Sequence, residues 1–333
     1  MEPKTVYLDQ NMWIYLSQAY YGLNKDPILK RICDKVISAS DSGKFIFPFS
    51  VVHHIELSKH PNKQRKERLI DFIILVSKGY TIRPYTKDFK EKEITIAVFK
   101  KLEYVPKDAV LDAVQLGIEN SFVRSSWIKE RRSWIKENLL PGIREKIEKK
   151  IDELLRNPER IRITLKNTKD FKVHSDQNLL PKLEFLRRKE NLSKDKMRKW
   201  QEAVAIGLAG IFPEIINVQK RFNIGKPLFN NYSVDTREEV VRFFESIPAC
   251  YSVFALTYHR DIDLNKPIQE NDLNDIFALA MAIGYCDIVV AENRFMDFAV
   301  RSKLNGKYNT QLFTALIDLE PLLYLHDKNN LVN

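Results

Sequence analysis

Residues 271–297, NDLNDIFALAMAIGYCDIVVAENRFMD, constrain the fold more than any other stretch of this chain. Asp272 and Asp275 open an apolar, alanine-rich run that reaches Gly284. A short β-branched run, DIVVAE, follows and is closed by Glu292 and Asn293. The pattern predicts a helix with carboxylates in its first turn, a glycine stop, and a buried strand with a carboxylate at its C-terminal end. In open α/β sheets the chemistry sits beyond the carboxyl ends of the strands. The question is which other acids reach that edge.

The first hundred residues read the same way. TVYLD (5–9) is a short apolar strand ending in Asp9, and Asn11 is placed to cap the helix that follows. Asp26-Pro27 pairs an N-cap with proline at N1 and opens a second helix, which Gly43 ends. KFIFPFS (44–50) is the next strand candidate, with Pro48 near its end, where proline is better tolerated. Ser50 caps a third helix, VVHHIELSKH, which carries Glu56. Residues 63–78 form a fourth helix stopped by Gly79, and TIRPY (81–85) reads as a third strand. The order β-α-α-β-α-α-β predicts a parallel sheet covered by helices, an α/β fold.

After Tyr85 the character changes. Residues 88–102 are charged and helical, and from 107 to about 222 helical periodicity holds with no convincing strand. RIRITL, inside 156–172, reads as a loop or short hairpin. Ser-Trp-Ile-Lys-Glu occurs at 126–130 and again at 133–137. A spacing of seven returns each Trp-Ile pair to nearly the same helix face, which suits helix pairing first and an aromatic platform for bases second. The net charge is +10, and it is uneven: residues 61–200 carry 35 Lys/Arg against 21 Asp/Glu, while the rest of the chain is slightly acidic. A basic excess of that size points to a polyanionic partner, with a solvated helical surface as the competing account. Arg187, Arg188, Lys194 and Lys196 lie in its densest part and are the candidate nucleic-acid contacts.

Composition removes several classes. Cys33, Cys250 and Cys286 are scattered and lack CxxC spacing, which fits a reducing cytoplasm and argues against a thiolate zinc site. The longest apolar runs, DFIILV and IFALAMAIG, are too short to span a bilayer, and MEPKTVYLD enters a strand directly with no signal peptide. No Walker A loop, GxGxxG or GxSxG is present. His53 and His54 precede Glu56 and read mainly as structural.

Four acids remain at matching positions. Asp9 ends the first strand, Glu56 sits on the helix after the second, Asp275 opens the helix before the Val-rich strand, and Glu292 ends that strand. Asp272 shares a helix face with Asp275. A helix cap or a surface charge explains any one of them. Together, several carboxylates this close cannot all stay ionised without a cation. Oxygen ligands in that number suit Mg²⁺ or Mn²⁺ rather than Zn²⁺.

Three of these segments together resemble the PIN-like domain, a family of metal-dependent nucleases. VYLDQN (6–11) resembles its opening strand-Asp-x-Asn/Ser, and FPFSVVHHIEL (47–57) its acid-bearing second segment. DIFALAMAIGYCDIVVAENRF (275–295) resembles its closing helix-Gly-strand-acid-x-x-Phe. The resemblance implies a parallel-sheet core over 1–102 and 270–333, interrupted by a helical, partly basic insertion over 103–269. It implies Mg²⁺ or Mn²⁺ held by Asp9, Glu56, Asp275 and Glu292, with Asp272 assisting. Spacing favours Asp275 as the family's third acid. The family's fourth acid falls at Asn293, so either Glu292 serves as ligand or Asn293 suffices. Asn11, Asn293 and Asp297 would support the site. The implied activity is phosphodiester hydrolysis on RNA rather than DNA, by a cytoplasmic toxin or defence-type endoribonuclease with a neutralising protein partner. Two alternatives stay open: a structure-specific DNA nuclease, and a non-catalytic nucleic-acid-binding or scaffold protein with a degenerate site.

Overall fold

The computed structural model describes residues 2–59, 61–103, 111–121, 132, 135–137, 141–167, 196–225, 228–229, 234–269 and 271–328. Its strands are β1 (Lys4–Leu8), β2 (Phe45–Ile46), β3 (Tyr80–Ile82), β4 (Val114–Leu116), β5 (Ile288–Val290) and β6 (Gln311–Phe313). Four of them form one sheet in the order β2-β1-β5-β6, and every neighbouring pair is parallel. The chain is therefore α/β, mostly helical around a short parallel sheet.

Both faces of the sheet are buried, and alternation along the strands decides what each face meets. Val6, Leu8, Ile288 and Val290 point to one side. There they pack under α1 (Gln10–Tyr20), α2 (Pro27–Asp41) and α4 (Lys63–Ser77), together with Trp13, Cys33 and Phe72. Tyr7 and Val289 point to the other side, into a second core with Ile276, Leu279 and Met296.

The first helix keeps its predicted place but changes its cap. Asp9, not Asn11, is the N-cap: its Oδ1 accepts the Gln10 N–H at 2.8 Å. Asp26 caps α2 as expected, accepting from the Ile28 N–H at 2.9 Å. Between β2 and α3 (Val51–Lys59), Pro48 cuts the expected seven-residue strand to two paired residues, because proline has no N–H for the ladder. The third expected strand is also different. β3 pairs antiparallel with β4, a strand that helical periodicity concealed, and a parallel bridge joins its Thr81 to Phe49, three residues beyond β2.

The remaining helices are α5 (Lys87–Lys101), α6 (Pro141–Leu155), α7 (Pro158–Asn167), α8 (Lys196–Ala209), α9 (Phe212–Arg221), α10 (Val234–Glu245) and α11 (Pro248–Ile262). After them come α12 (Asp272–Tyr285), α13 (Asn293–Arg301), α14 (Leu304–Tyr308) and α15 (Leu316–Lys328). RIRITL, read as a loop or hairpin, lies in α7. Ile161 and Leu165, four residues apart, bury one face beside α4, and that packing overrides the β-branched propensity. Gly284 does not stop α12, which runs on to Tyr285. It lets α11 approach: a Cβ there would lie 3.0 Å from the Pro248 Cβ.

Helices of the expected insertion share this core. α11 packs along α12 and α13, and α9 packs against α5. Within that region α8 and α9 join into one stretch, Ala203–Arg221, long and apolar enough to cross a membrane. No single run in the sequence suggests this. Val204, Leu208, Ile211, Ile215 and Val218 of that stretch are buried in the second core. Most of the Ser-Trp-Ile-Lys-Glu repeat lies outside the described residues. So do Arg187, Arg188 and Lys194, while Lys196 opens α8.

Candidate active site

Helices next to a parallel sheet run back along it, so their N-termini gather at its C-terminal edge. α1 starts there at Gln10, α12 at Asp272 and α13 at Asn293. β1 and β5 are neighbours in register, Leu8 beside Val290, and the Asp9 N–H donates to the Val290 carbonyl at 2.9 Å. Asp9 and Glu292 thus leave the sheet side by side. Asp272 and Asp275 arrive on the first turn of α12. Glu56 arrives on α3, a helix that packs against α12.

All five acids line one open cleft of about 230 Å³, with Tyr7, Asn11 and Arg294 among its other walls. The five acids are not alike. Asp272 is buried, with both oxygens engaged: Oδ1 accepts from Arg294 Nη1 at 3.0 Å and Oδ2 from the Gln269 N–H at 3.1 Å. Glu292 is exposed and accepts a hydrogen bond from Asn11 Nδ2. Asn11 is therefore a partner of the site rather than a helix cap.

Asp9, Glu56 and Asp275 feel one another. Burial, then the charges of Asp275 and Asp9, pushes the Glu56 carboxyl up to about 7. Burial, then Asp9, Asp272 and Glu292, pushes Asp275 up to about 7, with Arg294 opposing. Asp9 is raised by burial and by Glu292, against the Gln10 N–H that stabilises its charged form. Tyr7, on the floor of the cleft, is raised well above its usual range by burial and then by Asp9. Acids pushed up by burial and by one another are an arrangement that a cation relieves.

The donor set is all oxygen, which suits a hard divalent ion. The carboxylates are not drawn in around one point: among the described residues no three His, Cys, Asp or Glu side chains stand as a ready-made metal group. An ion here would complete its shell with water, as Mg²⁺ commonly does.

Two expected helpers are elsewhere. Asp297 is paired with Arg301 at 2.6 Å, one turn further along α13, and is not a wall of the cleft. Asn293 is exposed and also outside the lining. α13 leaves its side chains exposed at 293 and 297 and brings 294 to the cleft. His53 is fully buried. It stacks on Tyr7 with ring centroids 5.4 Å apart, its Nδ1 accepts the Ser50 N–H at 3.0 Å, and burial lowers its pKa to about 3. It is a neutral buttress under the cleft. Tyr7 and Arg294 were not legible as site residues in the sequence. For Tyr7 the signal was available: it lies two residues before Asp9 on a strand, hence on the same face.

Comparison of the chain with protein-family models, with curated proteins and with solved structures finds no match.

Proposed function

We propose that the chain is a metal-dependent nuclease with a PIN-like core and a helical insertion, acting on single-stranded RNA in preference to DNA. The observation that carries the reading is the convergence of Asp9, Glu56, Asp275 and Glu292 on one cleft at the sheet edge, with two of them raised to about 7. A binding surface for an anion would not gather acids. An acid cluster kept for stability alone would carry donors on each member, as Asp272 does on both oxygens.

Asp9, Glu56, Asp275 and Glu292 would hold Mg²⁺ or Mn²⁺. When bound, such an ion supplies stabilisation for the charge that builds on a phosphodiester oxygen. Asn11 fixes the Glu292 carboxylate from the first turn of α1. Glu56, pushed up by burial and by Asp275 and Asp9 in the metal-free cleft, is the member of the set whose charged form such an ion would stabilise. His53 and Tyr7 keep the floor of the cleft rigid and dry.

A second reading, nucleic-acid binding without catalysis, draws on Asn293 and on the lack of a ready-made ligand group among the described residues. One experiment separates the readings. Single-stranded RNA, single-stranded DNA and a branched DNA duplex are incubated with wild type and Asp9→Asn, in Mg²⁺, Mn²⁺ or excess chelator. Cleavage of RNA that needs the metal and Asp9 supports the ribonuclease. Binding with no cleavage under any condition selects the second reading, and cleavage confined to the branched duplex selects a structure-specific DNA nuclease.

A further inference from the structure

Arg294 has no part in the ligand set described above. It lies two residues after Glu292, so the turn that delivers that acid also delivers a guanidinium to the same cleft. It is the one basic side chain among the described residues that line it. Nη1 holds Asp272. Nε and Nη2 are buried and have no hydrogen-bond partner among the described residues. These two atoms form the side-on edge of the guanidinium. Elsewhere in this chain the same edge is in use: Arg31 grips Glu320 through Nε at 2.7 Å and Nη2 at 3.0 Å.

An arginine cannot shed its proton, so unpaired donors on that edge are costly until an acceptor arrives. The fork matches two oxygens on one carbon or one phosphorus. The nearby carboxylates leave it unsatisfied. Asp272, meanwhile, is committed on both oxygens and 1% exposed, which suits an anchor and not an ion ligand.

We propose that Arg294 grips a phosphate of the bound strand through its Nε–Nη2 edge, and that Asp272 is the positioning residue that holds the guanidinium in place. The inference rests on the nuclease reading. Contact needs the guanidinium to pivot on its hydrogen bond to Asp272 as Phe295 moves aside, because the edge is closed to solvent and the Phe295 ring centroid lies 5.2 Å from the guanidinium carbon. The phosphate then meets one fixed positive charge among the acids, where it would otherwise meet only repulsion. Lysine would restore the charge but not the planar fork.

The test uses the full chain and two readouts. The first is Mn²⁺ affinity by calorimetry, without nucleic acid, for wild type, Arg294→Gln, Asp272→Asn and Asp275→Asn. The second is kcat/KM on short single-stranded RNA, intact or carrying one neutral methylphosphonate linkage. Arg294→Gln and Arg294→Lys are expected to lose about 10- to 100-fold in kcat/KM on the intact strand. Both should bind Mn²⁺ at least as tightly as wild type. The methylphosphonate should slow wild type and leave Arg294→Gln little changed, a coupling that general loss of structure would not produce. Asp272→Asn should keep Mn²⁺ affinity within a few-fold, whereas Asp275→Asn loses it. Wild-type kinetics in Arg294→Gln, or Mn²⁺ affinity lost in Asp272→Asn as in Asp275→Asn, would overturn the inference while metal-dependent cleavage still stood. A wild type that neither binds Mn²⁺ nor cleaves any strand would remove the nuclease reading and this inference with it.

Discussion

Glu56 and Glu93 are both pushed up to about 7, and for different reasons. Glu93, on α5, is 3% exposed, and its carboxylate accepts the Ala249 N–H at 2.6 Å, the Cys250 N–H at 3.0 Å and the Tyr285 hydroxyl. It caps the N-terminus of α11 from a third helix. Burial raises it, and every donor around it opposes the rise. Around Glu56 the balance is reversed. Burial raises it, then Asp275, Asp9 and Glu292 raise it further, and Lys59 alone opposes. One acid is a satisfied joint, while the other belongs to a set of charges that raise one another. A raised carboxyl is therefore no mark of a functional site until its neighbours are named.

The largest effect that separates the two regions is on chemistry. Asp9→Asn, which removes one acid from the cleft, is expected to lower cleavage by about 100-fold or more, judged by the cost of losing one charge-stabilising group. Glu93→Gln should cleave at the wild-type rate per folded molecule. Rates measured at matched folded fraction, in Mn²⁺, test this. Equal loss in both variants would mean that the joint and the cleft work as one unit.

The next effect is on stability, with the order inverted. Glu93→Ala strands two buried N–H groups and the Tyr285 hydroxyl, and should cost about 3 kcal/mol in urea unfolding. Glu56→Gln removes a repelled charge from the metal-free protein and should be neutral or stabilising by about 1 kcal/mol. A large loss in Glu56→Gln would show that its carboxylate is held by a donor after all.

How much of this contrast was legible in the sequence follows from locality. Asp9 and Glu292 stand at the ends of strands that apolar runs mark out, and Asp275 stands about two and a half turns before a glycine. Each is read from its own neighbours. Glu93 is not, because it sits in a charged helix among Lys90, Glu91 and Lys92 and is singled out only by the α11 residue Ala249, 156 positions away. Arg294 fails for the same reason: its partner Asp272 is on another helix. Asp272 and Asp275 look equivalent on a helix wheel, and only Arg294 and Gln269 tell them apart. β4 was hidden because its partner β3 supplies the pairing, and α7 because its packing face on α4 outweighs its β-branched residues.

The pH dependence sharpens the comparison further. Glu56, Asp275 and Glu93 all have folded values near 7, above their unfolded values near 4. Between about pH 4 and 7 the folded state binds more protons than the unfolded state. Stability of the metal-free protein should therefore fall as pH rises through that window, with the loss complete above about 7. Mn²⁺ should return the share of Glu56 and Asp275 and leave that of Glu93. Melting curves at pH 5 and pH 8 read this out: the ion should add stability at pH 8 and little at pH 5. An ion that stabilises equally at both would place its binding away from the cleft.

The smallest effect tests the joint alone. Gly284 faces the first residues of α11, which Glu93 caps. Alanine at this interior helix position would by propensity gain up to about 1 kcal/mol. The added Cβ would lie 3.0 Å from the Pro248 Cβ and 3.3 Å from the Ala249 nitrogen. Both neighbours belong to a helix start with little room to give, because Ala249 N–H is tied to Glu93 and the Pro248 ring fixes the backbone. Overpacking at such a contact costs about 1–3 kcal/mol, so Gly284→Ala should lose about 1 kcal/mol net. Combined with Glu93→Gln, the loss should be less than additive, since either change alone loosens the same contact. Asp275 lies more than two turns away on the same helix, so Mn²⁺ affinity should stay at the wild-type value. Full additivity in the double variant would separate the glycine contact from the carboxylate cap. A fall in Mn²⁺ affinity would instead show that α12 transmits strain from the joint to the cleft.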